Sequence, residues 1–241
     1  MRWGSAFTWI TIAALLAAVF SQLLAWEVVR TVILIAWVVL LLLVVMTRGM
    51  RWTSFLTYLS AAALVAALVS QLAGYPSVRA WFLLAWAVLL LPVAIGLFSH
   101  PMRGPAWGLF VGFWGVVGVL WLIVIQILAV TGVLGGAAYR GGAAWPLALV
   151  AIWFGTSAAL GFGAERFPRW VDALGLLAGA GLLAISVSAW IGTSGDATRA
   201  AEIFAAIAYC LWALGLGSVL WGTQDVTHRF RGLSTEPALG A

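Results

Sequence analysis

The sequence predicts an all-α, polytopic integral membrane protein whose eight transmembrane helices form four tandem hairpins. Three observations carry that expectation. Of the 241 residues, 65% are hydrophobic and only 8% are charged, with a mean hydropathy of +1.12. A soluble domain carries roughly 25% charged residues, so this chain cannot cover a water-exposed surface of ordinary size. Apolar runs of about 20 residues, the length that crosses a hydrocarbon core, recur eight times. Finally, the first hundred residues are written twice.

The duplication is read by sliding Arg2–Val45 along 49 positions onto Arg51–Ala94, where 22 of 44 pairs are identical without a gap. Ala, Leu and Val match by chance in such a chain, so the weight rests on rarer residues. Arg2-Trp3 falls on Arg51-Trp52, Ser5 on Ser54, Thr8 on Thr57, Ser21-Gln22 on Ser70-Gln71, Arg30 on Arg79 and Trp37 on Trp86. Each copy holds two apolar runs, so the repeated unit is a membrane hairpin. Fainter echoes follow at an offset of 104, where Gln126 takes the place of Gln22, and at 167, where Ser188 takes the place of Ser21. All copies insert in the same sense, giving a parallel repeat rather than an inverted one.

Taken in order, the expected spans are 6–26, 29–47, 54–74, 80–99, 107–130, 144–163, 171–193 and 201–222. They divide a single transmembrane domain, 1–222, into hairpins 1–50, 51–102, 103–165 and 166–222, followed by a short polar tail, 223–241. Glu27 and Arg30 lie in the tight turn of the first hairpin, where they are expected to pair at the membrane surface. The first apolar run is too long for a cleavable signal peptide. With the N-terminus in the cytoplasm, eight arginines (Arg2, Arg48, Arg51, Arg103, Arg166, Arg169, Arg229, Arg231) face inward. Four (Arg30, Arg79, Arg140, Arg199) face outward. That bias obeys the positive-inside rule, so both termini of a multi-pass protein of the cell membrane are expected in the cytoplasm. Trp3, Trp52, Trp107 and Trp170 open the odd-numbered spans, as an interfacial aromatic belt does. Trp37, Trp86, Trp114, Trp121, Trp153 and Trp212 lie deeper and are read mostly as packing between helices. The spacing Gly175-x-x-x-Gly179 is a small-residue pattern for close helix approach.

Several chemistries are excluded. All twelve basic residues are arginine, so no lysine Schiff base can form. Cys210 is the only cysteine and forms no intrachain disulfide. His100 and His228 fall in loops or at helix ends, away from positions that would ligate an intramembrane haem. The acidic residues Asp172, Asp196, Asp225, Glu165 and Glu202 read as scattered along loops, which offers neither a metal site nor a general base. No cofactor and no enzymatic activity are indicated, and the dispersed arginines do not make a nucleic-acid surface. The expected partner is the lipid bilayer, with a homo-oligomer or other membrane subunits left open.

Polar side chains within apolar runs are the natural functional candidates, because unpartnered burial there is costly. Gln22, Gln71 and Gln126 occupy one equivalent position in the first, third and fifth spans, and Ser21, Ser70 and Ser188 neighbour it. Around a central axis these groups form a polar ring toward the outer end of the membrane. Such a ring suits a route for a small polar or anionic solute, and equally suits interhelical hydrogen bonding. The expected function is a channel or carrier for a small solute, with an anion favoured. The competing expectation is a non-catalytic accessory or scaffold subunit of a larger membrane complex, contacting lipid, quinone or pigment.

At Phe98-Ser99-His100-Pro101-Met102-Arg103-Gly104, followed by a Trp/Phe/Gly-rich helix, the chain resembles a segment of the tellurite-resistance/C4-dicarboxylate transporter family. That family includes plant guard-cell anion channels and bacterial TehA-like proteins. The resemblance covers roughly residues 75–162. It implies a ring of tandem helical hairpins, opened by a His-Pro pair, whose inner helices line an anion conduit. The chain departs from the family in number, with four expected hairpins against five. No position here takes the role of the family's gating phenylalanine.

Overall fold

The computed structural model describes residues 50–98, 105–164, 167–193 and 195–233. The spans expected at 6–26 and 29–47, with Ser21, Gln22, Glu27 and Arg30, lie outside the described residues. So do 99–104, which hold most of the His-Pro segment. Among the described residues there are six helices and no strand: α1 Met50–Leu72, α2 Pro76–Phe98, α3 Pro105–Val130, α4 Gly136–Ala164, α5 Arg169–Trp190 and α6 Asp196–Leu233. All six are long and apolar enough to cross a membrane. This is a multi-pass membrane protein built of helices, as the composition requires.

The helix ends follow local chemistry. α1 and α5 finish in the same cap. Gly74 and Gly192 adopt the left-handed conformation (φ +77° and +70°). The next N–H in each case, Tyr75 or Thr193, donates back to Ser70 O at 2.9 Å or Ser188 O at 3.0 Å. A side chain at either glycine would strain that turn. Pro76 then opens α2 where its missing N–H costs nothing.

All six helices begin earlier than the apolar runs predict, most of all α4, at Gly136 rather than 144, and α6, at Asp196 rather than 201. Apolarity marks the lipid-facing length and not the first helical residue. The segments Gly136-Ala-Ala-Tyr139-Arg140 and Asp196-Ala-Thr198-Arg199 are helical despite their polarity. At the other end α6 continues past its apolar window, which closes at Trp221, to Leu233. The expectation that the acidic residues lie along loops is corrected for Asp172, Asp196, Glu202 and Asp225, all of which sit on helices.

The six helices form a closed ring. Each packs on its chain neighbour, and α1 returns to pack on α6. Three bonds stitch that closing seam: Ser54 Oγ donates to Gly217 O at 2.7 Å, Cys210 Sγ reaches Ala61 O at 3.7 Å, and Ser60 Oγ meets the Tyr209 hydroxyl at 2.6 Å. Ser60 also donates to Thr57 O, so the Tyr209 hydroxyl is the donor in the last pair. With no hydrophobic drive between helices in lipid, close packing and such bonds carry association. Around α5 the approach is tight. A Cβ on Gly181 would sit 2.8 Å from the Ala205 backbone, and one on Gly179 would sit 2.9 Å from Ala151 O. The Gly-rich face of α5 is therefore packing surface, toward α6 on one side and α4 on the other.

The middle of the ring is filled. Trp86, Trp153, Phe154, Tyr209 and Trp212 are all 6% exposed or less. Trp86 and Phe154 meet Tyr209 edge-on at 5.6 and 5.9 Å, and Phe154 meets Trp212 at 4.6 Å. Edge-to-face pairs of this kind each add about 0.5–1.5 kcal/mol beyond burial. Trp114 and Trp121, read from the sequence with the packing tryptophans, instead face outward with Phe110 and Phe113. Trp37 is outside the described residues.

Candidate functional site

Above the aromatic layer, at the end of the ring where α1, α3 and α5 finish, the helices part around a cavity of about 140 Å³. A buried water needs on the order of 10–15 Å³ of such space, so the cavity has room for several waters or one small solute. All six helices contribute. The lower wall is apolar (Leu64, Leu83, Leu147, Leu182) with Trp86 and Tyr209 as its floor, and the polar groups lie toward the opening. The opening widens into a polar depression bordered by Gln71, Arg140, Gly195, Thr198, Arg199 and Glu202.

Glu202 is the hub of this mouth. Its Oε2 accepts from Gln71 Nε2 at 2.9 Å and from Arg79 Nη2 at 3.2 Å, tying α1, α2 and α6 together. Arg79 and Glu202 are 31% and 26% exposed, so water screens the pair and it contributes less than about 1 kcal/mol to stability. Arg140 and Arg199 have no ion-pair partner among the described residues. The lining of cavity and mouth therefore carries three arginines against one carboxylate. Anions are attracted to such a surface.

Beside these groups, Gln126 is 3% exposed and its Nε2 donates to the Tyr139 hydroxyl at 2.8 Å. Its Oε1 is buried without a partner among the described residues. Arg79 and Glu202 lie close enough to act electrostatically on the Tyr139 phenol.

Of the residues singled out from the sequence, Gln71 and Gln126 line this one cavity. Ser70 and Ser188 do not line it. Each bonds its own helix, to Ala66 O at 2.7 Å and Ile185 O at 2.9 Å, the usual local bond of a helical serine. Arg79, Tyr139, Arg140 and Glu202 were not singled out as site residues. Arg79 stands out only as a repeat landmark, and Tyr139 and Arg140 precede the apolar run that defines their span. One available signal is the positive-inside count. Arg79, Arg140 and Arg199 are three of the four arginines assigned to the outer side, and all three border the cavity or its mouth.

A second carboxylate, this one buried, behaves differently. Asp172, in the first turn of α5, is 4% exposed, packs against Gly161 of α4, and leaves Oδ2 unpartnered among the described residues. Among the described residues, no pocket is lined by it. Nor, among the described residues, do any three of His, Cys, Asp and Glu come together. Comparisons with protein-family models, with curated proteins and with solved structures find no match for this chain.

Proposed function

We propose that the protein is a membrane carrier or gated channel for a small anionic solute, with the Gln71–Gln126 cavity as its binding site. The observation that supports this reading most is the gathering of Arg79, Arg140 and Arg199 around a cavity that also holds two buried or half-buried glutamines. A subunit that only packs against partners has no use for solvent-sized space lined by polar groups. The aromatic floor formed by Trp86 and Tyr209 closes the route below the cavity. A continuously open pore does not fit that floor, and a site that alternates or gates does.

In this reading the cavity faces the outside and both termini lie in the cytoplasm, following the arginine bias. The chain is read as eight spans in four hairpins, with Gln22 and Arg30 as first-hairpin counterparts of Gln71 and Arg79. The identical caps of α1 and α5, at the paired serines Ser70 and Ser188, support a common hairpin unit. A ring of tandem hairpins is also what the resemblance to the tellurite-resistance/C4-dicarboxylate transporter family implies. Six helices already close on themselves, however, so the first hairpin is not needed to complete the described ring.

Anion uptake into proteoliposomes of purified protein tests the function. Uptake above that of empty vesicles, reduced several-fold in Arg140→Gln, is expected. Absence of uptake across a panel of inorganic and small organic anions, with a membrane partner copurifying in fixed ratio, would replace this reading with the accessory-subunit one. The observation that favours that alternative is the outward-facing apolar groove of α3 and α4 bordered by Phe110, Trp114, Ile152 and Leu160.

A further inference from the structure

Resting on the reading of the cavity as a solute site, we infer the class of solute: a small amphipathic organic anion. Its acid group is held at the mouth and its apolar tail lies in the well beneath. The order in which polar and apolar residues follow one another down the walls carries this inference.

Four helices show the same change with depth. On α1, Gln71 stands at the rim, and Leu68 and Leu64 follow one and two turns further in. On α2, Arg79 is followed by Leu83 and Trp86. On α4, Tyr139 and Arg140 give way to Ala143 and Leu147, and on α6 Glu202 gives way to Ala206 and Tyr209. Gln71 and Leu64, Arg79 and Trp86, and Glu202 and Tyr209 each lie seven positions apart. At the helical rise of about 1.5 Å per residue, the apolar well is about 10 Å deep.

The floor of the well offers no partner to a polar group. Tyr209 spends its hydroxyl on Ser60 in the α1–α6 seam, at 2.6 Å, and Trp86 Nε1 has no accessible surface. A charged group at that depth would lose its water without compensation, whereas a methylene gains by the same transfer. The cavity measures about 140 Å³. Apolar cavities of roughly 150 Å³ accept one benzene ring, which limits the tail to about six carbon atoms.

The charge sits at the other end. Glu202 is already engaged by Gln71 and Arg79. Arg140 and Arg199 stand exposed at the mouth, without an ion pair among the described residues, and guanidinium groups suit an acid head. An inorganic anion uses these arginines but not the well, and a neutral hydrocarbon uses the well but not the arginines. An acid with a short apolar tail uses both.

The test is titration calorimetry on the full chain in detergent micelles, with acetate, butanoate, hexanoate and adipate as probes. Affinity is expected to rise about fourfold for each methylene from acetate to hexanoate. Arg140→Gln should weaken all three monoacids several-fold without changing that increment. Ala206→Leu, one turn below Glu202, fills the well and should remove the increment while sparing acetate. Ala143→Leu, one turn below Tyr139 on a different helix, should do the same and serves if the first variant does not fold. Persistence of the increment in the filled variants would assign it to partition into the micelle and overturn the well. Adipate matches hexanoate in length but carries an acid group at each end, and is expected to bind more weakly. Adipate binding as tightly as hexanoate would overturn the single-headed class, as would equal affinity for acetate and hexanoate or binding of neither. If anion uptake into proteoliposomes persists in that case, the carrier reading survives the loss of this inference. If uptake is also absent, both fall.

Discussion

The two levels of the helical ring use polar residues in opposite ways. In the middle, along the α1–α6 seam, every polar contact closes space: Ser54 on Gly217, Ser60 on Tyr209, Thr57 on its own helix at Thr53 O. At the open end, polar residues border space, with Glu202, Arg79 and Gln71 holding three helices together at the rim. Both levels contain hydroxyls and amides within apolar helices. What separates a packing contact from a site is bonding capacity left over beside open space. Thr57 and Ser60 exhaust their donors on neighbours, whereas Gln126 keeps an unpartnered acceptor, Oε1, and Arg140 and Arg199 keep guanidinium groups outside any ion pair among the described residues.

The sharpest way to break the contrast is to open the aromatic layer. Tyr209→Ala removes a fully buried ring that touches Trp86, Phe154 and Trp212, and should cost about 3–5 kcal/mol, read as a large fall in Tm in micelles. If Tm holds, the layer is not the packed core described. Next in size is Gly181→Val, which drives methyl groups into the Ala205 backbone and should cost about 1–3 kcal/mol. Its cost should not depend on any solute. A smaller loss, about 0.5–1.5 kcal/mol, is expected for Tyr209→Phe, which keeps the ring and removes only the bond to Ser60. The smallest effect on stability belongs to Glu202→Gln, below about 1 kcal/mol. That substitution should nevertheless raise the apparent affinity for anions, by freeing Arg79, and the gain should shrink at high salt. A change in stability without a change in anion affinity would make Glu202 a clasp and nothing more.

The sequence carried the helical membrane class without difficulty, because 8% charge and runs of about 20 apolar residues leave few alternatives. The six described spans fall where the apolar runs place them, to within a few residues at most ends. Gln71 and Gln126 stood out because an amide in an apolar run is conspicuous, and because the expected repeat and its fainter echo align both with Gln22. Tyr139 did not, since it precedes the apolar run of its helix, and Glu202, at the very start of its run, reads as a flanking charge. Their importance depends on which helices meet, and that is set by the closing contact of α1 with α6, a pairing without a local signature. The expected repeat also aligns Ser70 and Ser188 as neighbours of the glutamines, and each bonds its own helix. Their shared feature is the cap that ends their helices.

The central claim is that solvent and solute reach Gln71 and Gln126 from one side of the membrane. It is tested most directly by single cysteines at these positions on a Cys210→Ser background, challenged in intact membranes with a small membrane-impermeant thiol reagent. Labelling at both positions is the predicted result. Arg140→Cys serves as the exposed control at the mouth, and Ser60→Cys as the sealed control in the seam. Labelling of Arg140→Cys with full protection of both glutamine positions would contradict the account, making the glutamines packing groups and the protein a partner-binding subunit.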